Sequence, residues 1–255
     1  MIFGSTARNI NLLTLSITMC VIAGLFNISM FTFGNIIIML ISFYIFNILG
    51  VWMTLHRYYS HKSFEFYHPF LKYVFTTIAI LAGRGSILGW VYLHRQHHAY
   101  SDTIKDPHSP KYLGYKLFGF GHYKKQEEHK MQIFLVKDIM TKFNVFIHKW
   151  YILLLVGCMT IFASINLELF YFVWILPSFL IQLSQSNFNY FGHLYGYTNH
   201  TTNDNSKNNV FLFPLILGEA WHNNHHADPK NYSTTVRPFE IDPLTWIIKL
   251  VSIDK

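Results

Sequence analysis

The chain has 255 residues, of which 51% are hydrophobic and only 13% are charged, and its net charge is +7 with histidine counted as neutral. Soluble domains carry roughly a quarter charged residues, so this composition argues against a soluble protein and favours one embedded in lipid. A basic balance also occurs in nucleic-acid-binding proteins, but the hydrophobicity makes an anionic membrane surface the better partner, and we expect no nucleic acid.

The first apolar stretch is long enough for two membrane spans, because no Lys, Arg, Asp or Glu occurs between Arg8 and His56. One crossing takes about 20 apolar residues, so we expect spans at about 10–32 and 35–55, separated by a turn at 34–35. The stretch is too long for a secretory signal peptide and has no clear cleavage motif. We interpret it as a retained helical hairpin that begins and ends on the same side of the membrane.

The next apolar stretch, residues 64–93, is interrupted by Lys72 and Arg84. Its uncharged run, 73–83, is too short to cross a hydrocarbon core of about 30 Å. We expect this stretch to be re-entrant or to lie in the membrane interface.

Two further spans are predicted at 150–167 and 169–189, on either side of a short connection around Glu168. The polar segment before them contains nine lysines from Lys105 to Lys149. Because Lys and Arg collect in cytoplasmic loops, this segment is expected to be cytoplasmic.

The predicted fold is an all-α integral membrane protein, a single domain covering residues 1–255. Four transmembrane helices form two hairpins and carry a cytoplasmic, histidine-rich cap made of residues 94–149 and 193–255. A bacterial inner membrane and an endoplasmic reticulum both fit this topology. The small size favours the bacterial inner membrane, with the active site in the cytoplasm.

Histidine is unusually frequent, at fifteen residues, and three clusters stand out: HRYYSH from His56, HRQHH from His94 and HNNHH from His222. Residues three and four apart share one face of a helix, so the first histidine of the second and third clusters meets both later ones. Adjacent histidines diverge by about 100° on a helix and can serve two neighbouring metals. Asn189 and His193 are a further same-face pair.

The first cluster has a different spacing, because His56 and His61 are five residues apart. A five-residue step does not keep one face of an α-helix, so the helix is expected to end or distort there. All the clustered histidines reach one side of the membrane only if residues 61–94 do not cross it. This requirement independently supports the re-entrant interpretation.

These residues predict a metal site. Imidazole suits Fe, Zn, Cu and Ni, so the ligand type does not fix the metal, and nine histidines make two metal ions the economical number. Cys20 and Cys158 lie in apolar runs and are not expected to form a disulfide or a metal site. The candidate ligands are His56, His61, His94, His97, His98, His193, His222, His225 and His226, with Asn189 as a tenth.

Other polar residues have weaker signals. Metal-bound histidine usually donates its second N–H to a carboxylate or carbonyl, so four acidic residues near the clusters are candidates for orienting ligands, or are solvated loop charges. They are Asp102, Asp106, Glu219 and Asp228. Isolated histidines are expected to be structural or exposed: His68, His108, His122, His129, His148 and His200.

The sequences HRYYSH, HRQHHAYSDTIKDPHSP and GEAWHNNHHADP resemble the three histidine boxes of membrane fatty-acid desaturases of the stearoyl-CoA type. The resemblance covers roughly His56 to Asp228, in matching order. It implies a fatty-acyl desaturase that uses dioxygen and two electrons to insert a cis double bond into a saturated acyl chain.

The resemblance also implies two iron ions and a division of their ligands. Asn189 would approach the second iron through a water. One iron would take His56, His61, His94, His98 and His225. The other would take His97, His193, His222 and His226.

The chain departs from the family pattern just before HRQHH. Animal acyl-CoA enzymes carry an Arg-Asp pair there that contributes to substrate binding, whereas this chain has Tyr92-Leu93. The substrate carrier therefore stays open between acyl-CoA, acyl-lipid and acyl carrier. The chain contains no fused redox domain, so electrons are expected from a separate ferredoxin or cytochrome b type protein, and the membrane lipid is a further partner.

Two other functions fit part of the pattern. A membrane di-iron hydroxylase would share the ligands but add oxygen to the carbon. A metal transporter would place its ligands at mid-membrane depth, whereas here the histidines lie at helix ends and in the cytoplasmic segments.

Overall fold

The computed structural model describes residues 4–117 and 133–253, with side chains from Thr14 onward and without that of Lys116. The regular structure in this part of the chain is helical, and its only β pairing is three isolated bridges. The helices, in chain order, are α1 (Gly4–Leu25), α2 (Phe33–His61), α3 (Pro69–Leu81), α4 (Ile87–Tyr100), α5 (Pro110–Leu113), α6 (Lys142–Ile165), α7 (Leu167–Phe191), α8 (Phe213–Ile216), α9 (His222–Ala227) and α10 (Pro243–Val251). His122 and His129 lie outside the described residues.

Three of these helices are long and apolar enough to cross a membrane: α2, α6 and α7. The fourth predicted span, residues 10–32, overlaps α1, a helix of 22 residues whose side chains are described from Thr14 onward. Four spans therefore remain a prediction. The turn predicted at Gly34 and Asn35 is wrong by a few residues, because both lie in the first turn of α2, where Thr32 accepts a hydrogen bond from the Asn35 backbone.

The second half of α2 is wound as a π-helix from Ile45 to His61. In a π-helix each backbone hydrogen bond spans five residues, so residues five apart share a face. The hydroxyls of Thr54 and Ser60 follow the same spacing, since each donates to the carbonyl five residues earlier. The helix ends at Lys62, which has a left-handed backbone. The distortion predicted from the spacing of HRYYSH is confirmed, and so is the end of the helix.

The second pair of predicted spans corresponds to α6 and α7, which a tight connection joins, and their arrangement as a membrane hairpin stays a prediction. Asn166 joins them and accepts a hydrogen bond from the backbone of Leu169 at the start of α7. Residues Tyr171–Ile175 of α7 are again π-helical.

The stretch between His61 and His94 forms the short helices α3 and α4, neither of which is long enough to be a membrane span. His68 caps α3 and Ser86 caps α4 with side-chain hydrogen bonds to the backbone. A sharp turn at residues 82–86 joins the two helices, and Gly83 and Gly85 both adopt positive φ in it. The chain therefore doubles back and brings HRQHH beside HRYYSH.

The C-terminal segment packs onto the end of α2 through a buried ionic network. Arg57 donates to Glu219 at 2.8 Å, to Asp242 at 2.9 Å and to the carbonyl of Tyr232 at 2.6 Å. Asp242 also caps α10 by accepting a hydrogen bond from the Leu244 backbone. The network ties the first histidine cluster to the segments that precede and follow the third.

Candidate metal centre

The nine predicted histidines converge from three helices and from the turn that follows a fourth. HRYYSH comes from the π-helical end of α2, HRQHH from α4 and HNNHH from α9, while His193 follows α7 directly. Their ring nitrogens form two groups, in each of which the candidate ligand atoms lie within 4.8 Å of one another. Group 1 contains His56, His61, His94, His98 and His225. Group 2 contains His97, His193, His222 and His226.

Group 1 is built around facing ε nitrogens. The Nε2 atoms of His61 and His94 lie 2.7 Å apart, and Nε2 of His225 lies 3.1 Å from that of His56 and from that of His98. The π-helical winding lets His56 and His61 face the same point, with ring centroids 4.8 Å apart. The same-face step that the sequence predicted for HRQHH likewise brings His94 and His98 together, at 4.7 Å.

Group 2 takes one histidine from HRQHH and two from HNNHH. The Nε2 atoms of His193 and His222 lie 3.0 Å apart, and the ring of His226 lies 4.2 Å from that of His222. The adjacent pairs His97–His98 and His225–His226 divide between the groups. The sequence predicted this division, because neighbouring helix residues diverge by about 100°.

Carboxylates hold the outer nitrogen of four of these rings. Nδ1 of His97 lies 3.0 Å from Asp106, and Nδ1 of His193 lies 3.0 Å from Asp102. Nδ1 of His56 lies 2.9 Å from Glu219. Asp102, Asp106 and Glu219 therefore contact histidines as the sequence suggested.

The sequence did not predict the fourth carboxylate, which is Asp204. Nδ1 of His226 lies 2.6 Å from Asp204, whereas Asp228 is exposed at the end of α9. The suggestion that Asp228 orients a ligand is thus not supported by its position. Asp204 reaches the site because the loop after His193 folds back over α9, and a contact between residues 22 apart leaves no spacing signal in the sequence.

The electrostatics of the site favour the neutral form of several imidazoles and the charged form of two of the carboxylates. Burial, and then repulsion by neighbouring imidazoles, holds the pKa of four histidines well below the ordinary value: His94, His98, His222 and His225. Burial lowers the pKa of His226 to about 4, although its hydrogen bond to Asp204 acts in the opposite direction. Burial raises the pKa of Asp106 and Asp204, but the hydrogen bonds and charge of their histidine partners outweigh it, so both pKa values lie below the ordinary value.

Asn224, the second asparagine of HNNHH, holds α9 in place. Asn224 accepts hydrogen bonds from Asn199 and Asn208, and donates to Glu240 and to the carbonyl of Thr234. This network spans the loop before α9 and the segment after it. A helix of six residues has little stability of its own, so these side-chain bonds hold its histidines toward the two groups.

Two further residues lie beside the centre. The ring of His108, which was expected to be structural or exposed, is buried and stacks on His97 at 4.3 Å. Asn189 is half-buried on α7, four residues before His193, and its role as a ligand stays a prediction.

The residues present fit a bound metal ion. Four rings have Nδ1 against a carboxylate, which places the proton there and leaves the Nε2 lone pair facing inward. Nε2 of His226 is buried without a hydrogen-bond partner in the described ranges. Neutral imidazoles that point lone pairs at one another are an unfavourable arrangement unless a cation lies between them, and imidazole is a common ligand of transition metals.

A cavity of about 350 Å³ opens beside group 2. Lys111 and Lys207 carry positive charge at this cavity, next to Asp102 and His193. It therefore offers a basic approach to the histidines from the polar side of the molecule.

The class of protein that the fold and site define has apolar helices of membrane-spanning length and two buried histidine groups that could hold metal ions. A family model for fatty acid desaturases matches residues 32–249. The chain belongs to the fatty acid desaturase family, a family of oxidoreductases.

Several relatives of known activity resemble the chain. It is 31% identical over 221 residues to the sn-1 stearoyl-lipid 9-desaturase of Synechocystis, a match that covers 80% of this chain and 65% of that enzyme. It is 28% identical to Delta-9 acyl-lipid desaturase 2 of Arabidopsis thaliana, over 83% of this chain and 70% of the relative. It is 26% identical to the hex-5-enoyl-[acyl-carrier protein] acetylenase of Moorena producens, over 80% of this chain and 70% of the relative. The chain spans just under two thirds of the length of the Synechocystis enzyme.

Proposed function

We propose that this protein is a membrane fatty-acyl desaturase, which uses dioxygen and two electrons to insert a cis double bond into a saturated acyl chain. The observation that carries the proposal is the convergence of nine histidines into two adjacent groups with their ε nitrogens inward. Group 1 would hold one iron ion and group 2 the other, with Asn189 near the second through a water. When bound, the two irons supply the activation of dioxygen and the removal of two hydrogens from neighbouring methylenes.

The protein's own residues orient and insulate this site. In group 2, three imidazoles donate a hydrogen bond from Nδ1–H to a carboxylate, which leaves Nε2 directed inward. The acceptors are Asp102, Asp106 and Asp204. In group 1, Glu219 lies 2.9 Å from Nδ1 of His56 and is itself held by Arg57. Such outer partners raise the basicity of a ligating imidazole and fix its ring orientation.

Aromatic side chains exclude water from the membrane side of group 1. The ring of Trp90 stacks on His94 at 5.0 Å, and the ring of Trp52 meets His56 edge-on at 5.4 Å. Trp52 is itself almost fully buried. A dry environment favours the proposed chemistry, because it protects reactive species from side reactions with water.

The substrate is proposed to be a fatty-acyl chain carried on lipid, CoA or an acyl carrier protein. The names of the relatives include an acyl-lipid enzyme, an acyl-CoA enzyme and an enzyme of the acyl-carrier-protein type. Tyr92-Leu93 in place of the Arg-Asp pair favours a carrier other than CoA. The basic cavity at Lys111 and Lys207 suits either an acidic ferredoxin or cytochrome b type donor or a phosphate-bearing carrier.

The protein is proposed to be a multi-pass protein of a bacterial inner membrane with its histidine groups on the cytoplasmic side. The lysines of the segment before α6 support this orientation, because Lys and Arg collect on the cytoplasmic side.

Purified protein would test the chemistry directly. We expect it to retain iron in detergent and, with a ferredoxin or cytochrome b type donor and dioxygen, to convert a saturated acyl chain into a product lighter by two hydrogens in mass spectrometry. A product heavier by one oxygen would identify a hydroxylase instead. Metal uptake by protein-containing vesicles would favour a transporter.

A further inference from the structure

The segment that leads into the third histidine cluster is unusually apolar for its predicted location. Residues 210–217 read VFLFPLIL and contain no polar side chain. They form a 3-10 turn, Val210–Leu212, followed by the short helix α8, and they continue through Glu219 into α9. This segment belongs to the part of the chain for which the sequence predicted a cytoplasmic cap.

Only one side of the segment packs against the protein. Leu212 and Ile216 are buried in the core. Val210 and Leu215 are exposed, and the ring of Phe211 is 92% exposed. A group of large apolar side chains on a protein surface marks a site of interaction with another apolar partner.

Two polar side chains of α2 hold the backbone of this segment. The hydroxyl of Tyr44 donates to the carbonyl of Pro214 at 2.6 Å, and Nδ2 of the fully buried Asn47 donates to the carbonyl of Leu215 at 2.9 Å. A helix as short as α8 leaves its last carbonyls without a partner inside the helix. In hydrocarbon such carbonyls must be satisfied by protein donors, because no water is available there.

The position of these two donors along α2 places the segment at membrane depth. Asn35 marks the end of α2 that lies away from the histidines, since it donates to Glu168 in the connection between α6 and α7 at 2.7 Å. Tyr44 follows nine residues later, which corresponds to about 14 Å along a helix. A hydrocarbon core is about 30 Å thick, so Tyr44 and the carbonyl that it binds lie within it.

We propose that residues 210–217 are a membrane-inserted segment, whose exposed face docks into the acyl chains of the lipid leaflet on the side of the histidine groups. Lipid is the partner because the adjoining surface of α2, a helix of membrane-spanning length, is itself apolar and exposed at Ile41 and Ile45. The segment continues into Glu219, which contacts His56, so its seat in the bilayer sets the level of the metal centre at the membrane surface. The inference is independent of the reaction at the histidines.

Spin labelling in nanodiscs tests the depth of the segment. In a protein with Cys20 and Cys158 replaced by serine, a nitroxide is attached to Phe211→Cys, and its collision rates with dioxygen and with a water-soluble nickel chelate are compared. Leu40→Cys, on the exposed face of α2, is the hydrocarbon control, and Lys230→Cys is the aqueous control. We expect the ratio of the two rates at position 211 to match that at position 40, at a depth of at least about 5 Å. A ratio equal to that at position 230 would overturn the proposal.

A measurement on the unsubstituted protein covers the case in which Phe211→Cys does not fold. Phospholipid with a diazirine in its acyl chain is photolysed in nanodiscs, and the modified peptides are identified by mass spectrometry. We expect modification within residues 210–217 and within α6, and none within residues 228–235. Modification of α6 without modification of residues 210–217 would contradict insertion, and so would a crosslink from this segment to a second copy of the chain.

The role of the two donors has its own test. Replacing both, by Tyr44→Phe with Asn47→Leu, leaves two carbonyls of the segment without a partner in hydrocarbon, so the label at position 211 should shift toward the aqueous ratio. Tyr73→Phe, at an exposed tyrosine of α3, is the matched control and should leave the ratio unchanged. An unchanged ratio in the double variant would contradict the role of Tyr44 and Asn47. Because depth is measured without substrate, failure to desaturate does not affect the result.

Discussion

Single side chains decide whether each imidazole presents its ε nitrogen, and Asp204 does this for His226 at 2.6 Å. Asp204→Ala should lower the affinity for metal by about ten- to a hundredfold, the usual cost of losing such a partner, because the ring loses its fixed tautomer and orientation. Iron titration of the metal-depleted protein measures this. Asp228→Ala is the matched control, since Asp228 is exposed on the adjacent turn. Equal effects of the two substitutions would contradict the assignment.

Removal of a group 2 imidazole should reduce metal binding more than removal of its carboxylate partner does. His226→Ala and His97→Ala should each abolish desaturation and reduce the iron content, while membrane insertion stays normal, because neither side chain contributes to a span. The exposed His200 provides the control variant, His200→Ala. Desaturation by either of the first two variants would rule out the proposed ligand set.

At this scale the sequence was sufficient to single out the nine histidines, through their same-face steps, and three carboxylates, because each of these lies within a few residues of a histidine cluster. It did not show that Asp102 and Glu219 contact histidines of other segments. It was insufficient for Asp204 and for the stacking of His108 on His97. Both depend on how loops fold over the helices, and a loop's path is set by hydrogen bonds between distant residues.

At the scale of helices, Arg57 joins the end of α2 to the C-terminal segment. Arg57→Met would leave Glu219 and Asp242 as buried charges without a cation, and breaking a buried pair in this way costs about 3–5 kcal/mol. Thermal unfolding in detergent should therefore show a large loss of stability. Arg237→Met, at an exposed arginine, should change little. A loss in Arg57→Met no greater than in Arg237→Met would contradict this role.

The close packing of Gly218 on the same network gives a second test. A Cβ at Gly218 would lie 2.1 Å from Oδ1 of Asp242, so Gly218→Ala must displace that carboxylate from Arg57. We expect reduced thermal stability and weaker metal retention. Gly157→Ala on α6 is the control, because a Cβ there meets nothing within 4 Å. Identical melting curves for the two variants would show that the network tolerates the displacement.

The helices were largely predictable, since long uncharged runs fix α2, α6 and α7. The π-helical winding of α2 was predictable only as a distortion. The five-residue step in HRYYSH excludes a regular α-helix that brings both histidines to one face, but it does not specify which irregular helix replaces it.

At the scale of the whole molecule, the nine histidines can lie on one side of the membrane only if residues 61–94 do not cross it. In a protein with Cys20 and Cys158 replaced by serine, Lys105→Cys and Lys230→Cys should react with an impermeant thiol reagent from the same side. Ser29→Cys, between α1 and α2, should react only from the opposite side. Labelling of positions 105 and 230 from different sides would contradict the topology.

The long helices α2, α6 and α7 could be predicted from composition, because a helix that crosses a membrane needs a long apolar run. Two features of the fold could not be predicted in this way. Three helices of the described part of the chain are long and apolar enough to cross a membrane, and the fourth span stays a prediction. The cation at Arg84 interrupts an apolar stretch, and only the fold reveals that it lies buried beside Gln185.

The most direct test of the proposed function is the fatty-acid profile, by gas chromatography and mass spectrometry, of a desaturase-deficient host that expresses this chain with an electron donor. We predict a new monounsaturated acid that is absent when His97→Ala is expressed instead. Hydroxylated acids, or a monounsaturated acid that persists in the His97→Ala host, would contradict a desaturase that depends on these histidines.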